Sequence, residues 1–103
     1  MRNFRTYQLA KNLYNQCQEL KLPLYLKDQL DRASLSVCLN LAEGSAKHSV
    51  KDRLRFYQIA MGSLRETQAI LDITKQEEIY KTADQVAASL FRLLQNPEPG
   101  LIP

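Results

Sequence analysis

Apolar residues return along this chain at intervals of three and four, and in four separate stretches they do so long enough to mark a helix. In the first, about residues 4–21, Leu9, Ala10, Leu13, Cys17 and Leu20 share one face, while Arg5, Lys11, Gln18 and Lys21 lie largely away from it. Tyr7 and Tyr14 add an aromatic stripe, read as a core edge or subunit contact. Pro23 has no N–H to donate and a fixed φ, so it separates this helix from a second over about 24–45. Ser49, with Asp52 three residues on, forms an N-cap pattern and opens a third helix over about 50–74. A fourth, about 76–95, places Glu77 and Glu78 in its first turn and Ala83, Val86, Leu90 and Leu93 on one face. Residues 97–103 hold three of the four prolines and predict an irregular tail. No β alternation or repeat is present. Four amphipathic helices with short connections predict an all-α fold, an antiparallel up-and-down four-helix bundle.

The second and third helices carry more than a single apolar stripe. Ala33 to Ala42 contains no charge at all, which predicts burial over most of that helix's circumference. Along this helix, Arg32, Ser36, Asn40, Glu43 and Lys47 project onto one narrow polar seam between two apolar flanks. Leu26, Leu30, Val37 and Leu41 form one flank; Leu35, Cys38, Leu39 and Ala42 form the other. Gly44 is placed to terminate the helix through a left-handed residue. In the third helix, Gly62 and Ser63 cost helix propensity, which predicts a close helix approach there, with Glu66 one turn further on.

Composition narrows the class. Apolar residues at 45% and charged ones at 24% exclude wholesale disorder, and no apolar run approaches the ~20 residues of a bilayer span. The start of the chain lacks the apolar core of a signal peptide, so a cytoplasmic location is expected. A domain of 103 residues buries a modest share of its surface and would benefit from self-association. Cys17 and Cys38, set among apolar residues, are expected as buried free thiols. The net charge of +3 is unevenly distributed: residues 1–65 hold eleven Lys/Arg against five Asp/Glu, and the remainder three against six.

The run DQLDRASLSVCLNLAEGSAKHSVKDRLRFYQIAMGSLRE resembles the signature of the bacterial four helix bundle proteins, also called 23S rRNA-intervening sequence proteins. Its first half is filled by Gln29, Arg32, Ala33, Ser36, Val37, Asn40, Leu41, Ala42, Glu43 and Gly44. Its second half is filled by Arg55, Phe56, Ile59, Ala60, Gly62, Ser63 and Glu66. The resemblance implies a four-helix bundle assembled as a ring-like homopentamer. It also implies one of two settings: proteins encoded within intervening sequences of large-subunit ribosomal RNA genes, or a basic accessory protein of diversity-generating retroelements that binds nucleic acid and a reverse transcriptase. The connection between the third and fourth helices is short for such a family.

Catalytic chemistry finds little support. A bundle di-iron site needs a Glu-x-x-His motif from each of two helices, whereas this chain has one histidine, His48. Helical-bundle ribonucleases place an Arg shortly upstream of a His, at positions filled here by Leu41, Ala42 and Glu43. Glu43 lies near the turn and Glu66 about three turns beyond it, which argues against an acid–base pair within one subunit. Asn40 and Glu43 are instead expected to bond backbone, Arg53, Arg55 or a neighbouring subunit. No cofactor is implied. What remains is the basic turn: Lys47, His48, Lys51, Arg53 and Arg55 within nine residues, opposed only by Asp52. Repeated in an oligomer, such turns would hold RNA or DNA phosphates with avidity, although Arg53 and Arg55 could serve internal salt bridges. The alternative is a scaffold that docks a partner enzyme such as a reverse transcriptase.

Overall fold

A computed structural model describes residues 4–97. Four helices follow one another: α1 (Arg5–Gln18), α2 (Leu24–Ser45), α3 (Val50–Ile73) and α4 (Glu77–Gln95). Each packs on its sequence neighbours, and α1 closes the bundle against α4. The result is an antiparallel up-and-down bundle with extents of 40 × 21 × 21 Å, in which the α2–α3 interface is the most extensive. Leu13, Leu30, Val37, Leu41, Leu64, Leu71, Val86 and Leu90 fill the centre. Two small polar pairings sit among them. Thr6 and Ser89 share a 2.6 Å hydrogen bond between α1 and α4, and Ser34 Oγ donates to the Leu30 carbonyl at 2.8 Å.

Helix ends follow local chemistry. The first helix stops at Gln18, three residues short of its expected end: Glu19 and Leu20 donate to the carbonyls of Gln16 and Cys17 at 3.2 Å, tightening the last turn. Leu20 and Leu22 then turn in against the core. The Asp52 N–H donates to Ser49 Oγ at 3.1 Å, capping α3. At the other end of α3, Gln76 N–H reaches the Leu71 carbonyl at 2.8 Å and Lys75 N–H the Asp72 carbonyl at 3.1 Å. This is a Schellman closure, and it holds Lys75 at φ 59°, a left-handed conformation that an L side chain adopts at a cost. Of the expected tail, residues 98–103 lie outside the described residues.

Neither glycine of the α2–α3 hairpin acts within the subunit as the sequence predicts. Gly44 does not terminate α2, which continues to Ser45 and is capped by Ala46 in a right-handed conformation. Its function is contact: a Cβ there would lie 2.7 Å from Tyr57 Cε1, 2.9 Å from Cδ1 and 3.1 Å from Phe56 Cβ. Gly62 permits no close approach inside the subunit, because a Cβ there would meet nothing within 4 Å. Burial of 33–42 is also one-sided. Val37 and Leu41 are fully covered, and Ala33 and Cys38 nearly so, whereas Leu35 is 39% and Leu39 58% exposed.

Two substitutions test these readings by urea unfolding. Gly44→Ala should destabilise by about 1–3 kcal/mol, since the buried Tyr57 ring has to move to admit a methyl group. Lys75→Gly should stabilise by about 0.5–1 kcal/mol by relieving the left-handed residue without touching the core.

Candidate nucleic-acid interface

The α2–α3 turn is built around Arg53. This side chain springs from the first turn of α3, is only 3% exposed, and donates to the carbonyls of Lys47 and, at 2.8 Å, of His48. The guanidinium thus satisfies backbone groups that the end of α2 and the turn leave open. That placement removes Arg53 from the surface available to a ligand, and its partners are carbonyls rather than a carboxylate.

The other cations point outward. His48, Lys51 and Arg55 are exposed, and Lys47 is half-buried. Lys47 Nζ lies 3.3 Å from Glu43 Oε2 on the preceding turn of α2 and 5.2 Å from the centre of the Phe56 ring. The Arg55 guanidinium lies 4.7 Å from the same ring. Phe56, which the periodicity assigns to the apolar arc of α3, is half-buried and carries two cations.

Topology adds to the charge at this end. The Phe4 ring meets the Tyr57 ring edge-on at 6.3 Å, so α1 begins here, and the Thr6–Ser89 bond shows α4 running toward the same end. Exposed Arg5 and Arg92 therefore join the turn. At the far end, Asp72 precedes the α3–α4 connection and Glu77 and Glu78 open α4. The asymmetry along the chain becomes an asymmetry along the bundle axis.

The polar seam divides into two groups. Ser36 and Ser63 share a 2.8 Å hydrogen bond across α2 and α3, and Asn40 Nδ2 donates to the Ser36 carbonyl at 2.9 Å and to its hydroxyl at 3.1 Å. Arg32 and Glu66 stand exposed beside them. Glu43 belongs to the turn, where its partner is Lys47 rather than Arg53 or Arg55.

Nucleophilic chemistry is disfavoured where the thiols sit. Cys17 and Cys38 are both buried and free, and burial pushes each thiol from 9.0 up to about 11, against smaller opposing contributions from the Ser34 hydroxyl on Cys17 and from Lys11 on Cys38. Burial likewise raises Tyr57, with the Arg53 charge acting the other way. Among the described residues, no three His, Cys, Asp or Glu side chains gather as a metal site, and no helix is long and apolar enough to cross a membrane.

Fold and surface together define a helical-bundle protein whose distinguishing feature is a pinned basic turn at one end. Residues 2–96 match the family described as 23S rRNA-intervening sequence protein, and the chain belongs to that family. The family is not one of enzymes. A search among curated proteins finds no match.

The thiols make a pH prediction. The folded state holds both protons more tightly than the unfolded chain, so their contribution to stability is complete below about pH 9 and is lost as the pH rises toward about 11. Urea midpoints measured across that window should fall, and a Cys17→Ala, Cys38→Ala variant should show a shallower fall.

Proposed function

We propose that this chain is a non-catalytic, homo-oligomeric bundle protein that holds RNA through basic turns repeated around one end of the assembly. The observation that carries the reading is the turn itself. Arg53 fixes its backbone from inside, leaving Lys47, His48, Lys51 and Arg55 as an outward cluster on a stiff support. A stiff array of cations engages phosphates with less ordering cost than one on a mobile loop. The match to a family named for intervening sequences of 23S rRNA favours RNA as the ligand.

Self-association rests on where apolar surface is left uncovered. Of eight large apolar side chains exposed among the described residues, seven lie on α2 and α3, and only Phe91 lies elsewhere. Leu35 and Leu39 on α2 and Ile59 on α3, the last 45% exposed, are among them, and Gly62 on α3 is open. Helices that are apolar on more than the core side are covered by something, and Gly62 leaves room for a neighbouring backbone. A second copy of the chain meets that need, and the ring of five implied by the family resemblance would bring several basic turns to one rim. Each turn binds phosphate weakly alone; several acting on one RNA bind with avidity that declines steeply with salt.

Lys47→Glu combined with Lys51→Glu should lower retention of a short RNA at about 50 mM salt by at least tenfold while leaving helix content and assembly mass unchanged. Retention equal to wild type would overturn the RNA reading and shift the function toward a scaffold that docks a partner protein.

A further inference from the structure

Basic turns gathered at one rim require every copy to stand the same way up, turned about an axis that runs along the bundle. Contacting residues then lie at matching heights. A ring also joins its members head to tail, so each copy uses two different faces, one toward each neighbour. The α2–α3 face, with its polar groove and exposed Leu39, is one of the two. Its complement has to lie elsewhere on the same chain.

Two hydrogen bonds mark height on the faces concerned. On the α2–α3 face, Ser36 and Ser63 meet at 2.8 Å in the groove. Leu39, 58% exposed, lies on the basic-turn side of that level. On the other side, at the groove rim, stand Arg32 of α2 and Glu66 of α3, both exposed and in no ion pair among the described residues. On the α3–α4 face, Gln68 Nε2 donates to Asp84 Oδ1 at 3.0 Å and Arg65 Nη1 donates to Gln68 Oε1 at 2.8 Å, which places exposed Asp84 and Arg65 on this side of their helices. Phe91 follows Asp84 by about two turns on the same stripe of α4, nearer the basic end. It is 57% exposed and is the one large apolar side chain displayed outside α2 and α3 among the described residues. At about 1.5 Å per residue, Phe91 comes level with Leu39, Asp84 with Arg32 and Arg65 with Glu66, each to within about 3 Å.

We infer that the α2–α3 face of one copy seats on the α3–α4 face of the next, with Leu39 against Phe91, Arg32 beside Asp84 and Glu66 beside Arg65. The inference rests on the self-association proposed above and adds which surfaces meet. Facing these surfaces with the same end up sets α2 against the neighbour's α4 and α3 against its α3, so the matches hold in breadth as well as in height. Covering Arg32 and Glu66 removes their water, and opposite charges at their own level offset that cost. Gln68 engages one oxygen of Asp84 and one nitrogen of Arg65, which leaves each able to take a second partner. Because α3 belongs to both faces, they stand about a right angle apart, and copies joined this way close into a ring of about four or five. The open Gly62 lets successive α3 helices approach closely where they meet.

Light scattering of the full chain across a dilution series, with circular dichroism as the check on folding, reads the joint. Leu39→Glu and Phe91→Glu, both at side chains exposed in the single subunit, should each raise the dissociation constant of the assembly at least about tenfold with helix content unchanged. An equal mixture of the two should give a 1:1 dimer and nothing larger. In that dimer the intact α2–α3 face of the Phe91 variant meets the intact α3–α4 face of the Leu39 variant, and both outer faces are spoiled. Arg32→Glu and Asp84→Arg should each weaken assembly, and combining them in one chain should restore it to within about threefold of wild type. Since α2 and α4 share no contact among the described residues, the restoring pair spans two copies. Wild-type assembly by the Phe91 variant would overturn the inference, and with a dissociated Leu39 variant it would assign the α2–α3 face to a two-fold joint with itself. A mixture that stays monomeric, or a double charge variant that stays dissociated, would overturn it as well while leaving self-association standing. A wild-type chain that is monomeric at high concentration would remove the self-association reading itself, and this inference with it.

Discussion

The distance between α2 and α3 at Gly44 governs this molecule. With no side chain at that position, the Tyr57 ring lies flush against the α2 backbone and Phe56 comes within contact distance of it. That closeness places the first turn of α3 directly beneath the end of α2, within reach of the turn carbonyls that Arg53 bonds. Further along, it brings Ser36 and Ser63 into hydrogen-bonding register. The basic turn and the polar groove are thus two outcomes of one helix pairing. A wider hairpin would cost the bundle packing energy and dissolve both surfaces.

The two hairpin helices differ in kind from the two that flank them. Apart from Phe91, α1 and α4 expose no large apolar side chain; their apolar stripes are spent on the core and the rest of their surfaces are polar. In contrast, α2 and α3 bury one stripe and display another, with the polar groove running between the displayed residues. All four helices build the core, and α2 and α3 carry nearly all of the exposed apolar surface in addition.

Much of the architecture was legible in the chain, because helix periodicity, Pro23 and the Ser49 cap are local signals that the fold has no cause to override. Ambiguity entered wherever a residue's role depends on what lies opposite it. Gly44 and Gly62 look alike as helix glycines, and only the position of Tyr57 tells the one that admits a neighbour from the one that faces open space. Arg53 and Arg55 are two residues apart and equally basic in sequence, yet the roughly 200° between them around a helix sends one into the turn and the other outward. The uncharged run 33–42 predicts burial over most of the helix circumference, whereas within the subunit Leu35 and Leu39 stay exposed. What lies against those two side chains is not encoded in a single chain's periodicity. Phe56 was legible as apolar but not as a seat for Lys47 and Arg55, since that role arises only when the turn folds back over it.

The inward bonds of Arg53 also affect what the turn offers chemically. A reversing chain ordinarily displays carbonyl oxygens as well as amides, and so greets ammonium groups and phosphates alike. Here the carbonyls of Lys47 and His48 are turned toward the guanidinium, leaving Lys and Arg side chains to dominate the outer surface. The backbone of the turn is therefore poor in free acceptors, and the acceptors left at the rim are the carboxylates of Glu43 and Asp52, the first of them engaged by Lys47. On the proposed reading, a phosphate meets the cations there without competition from the turn's own carbonyls.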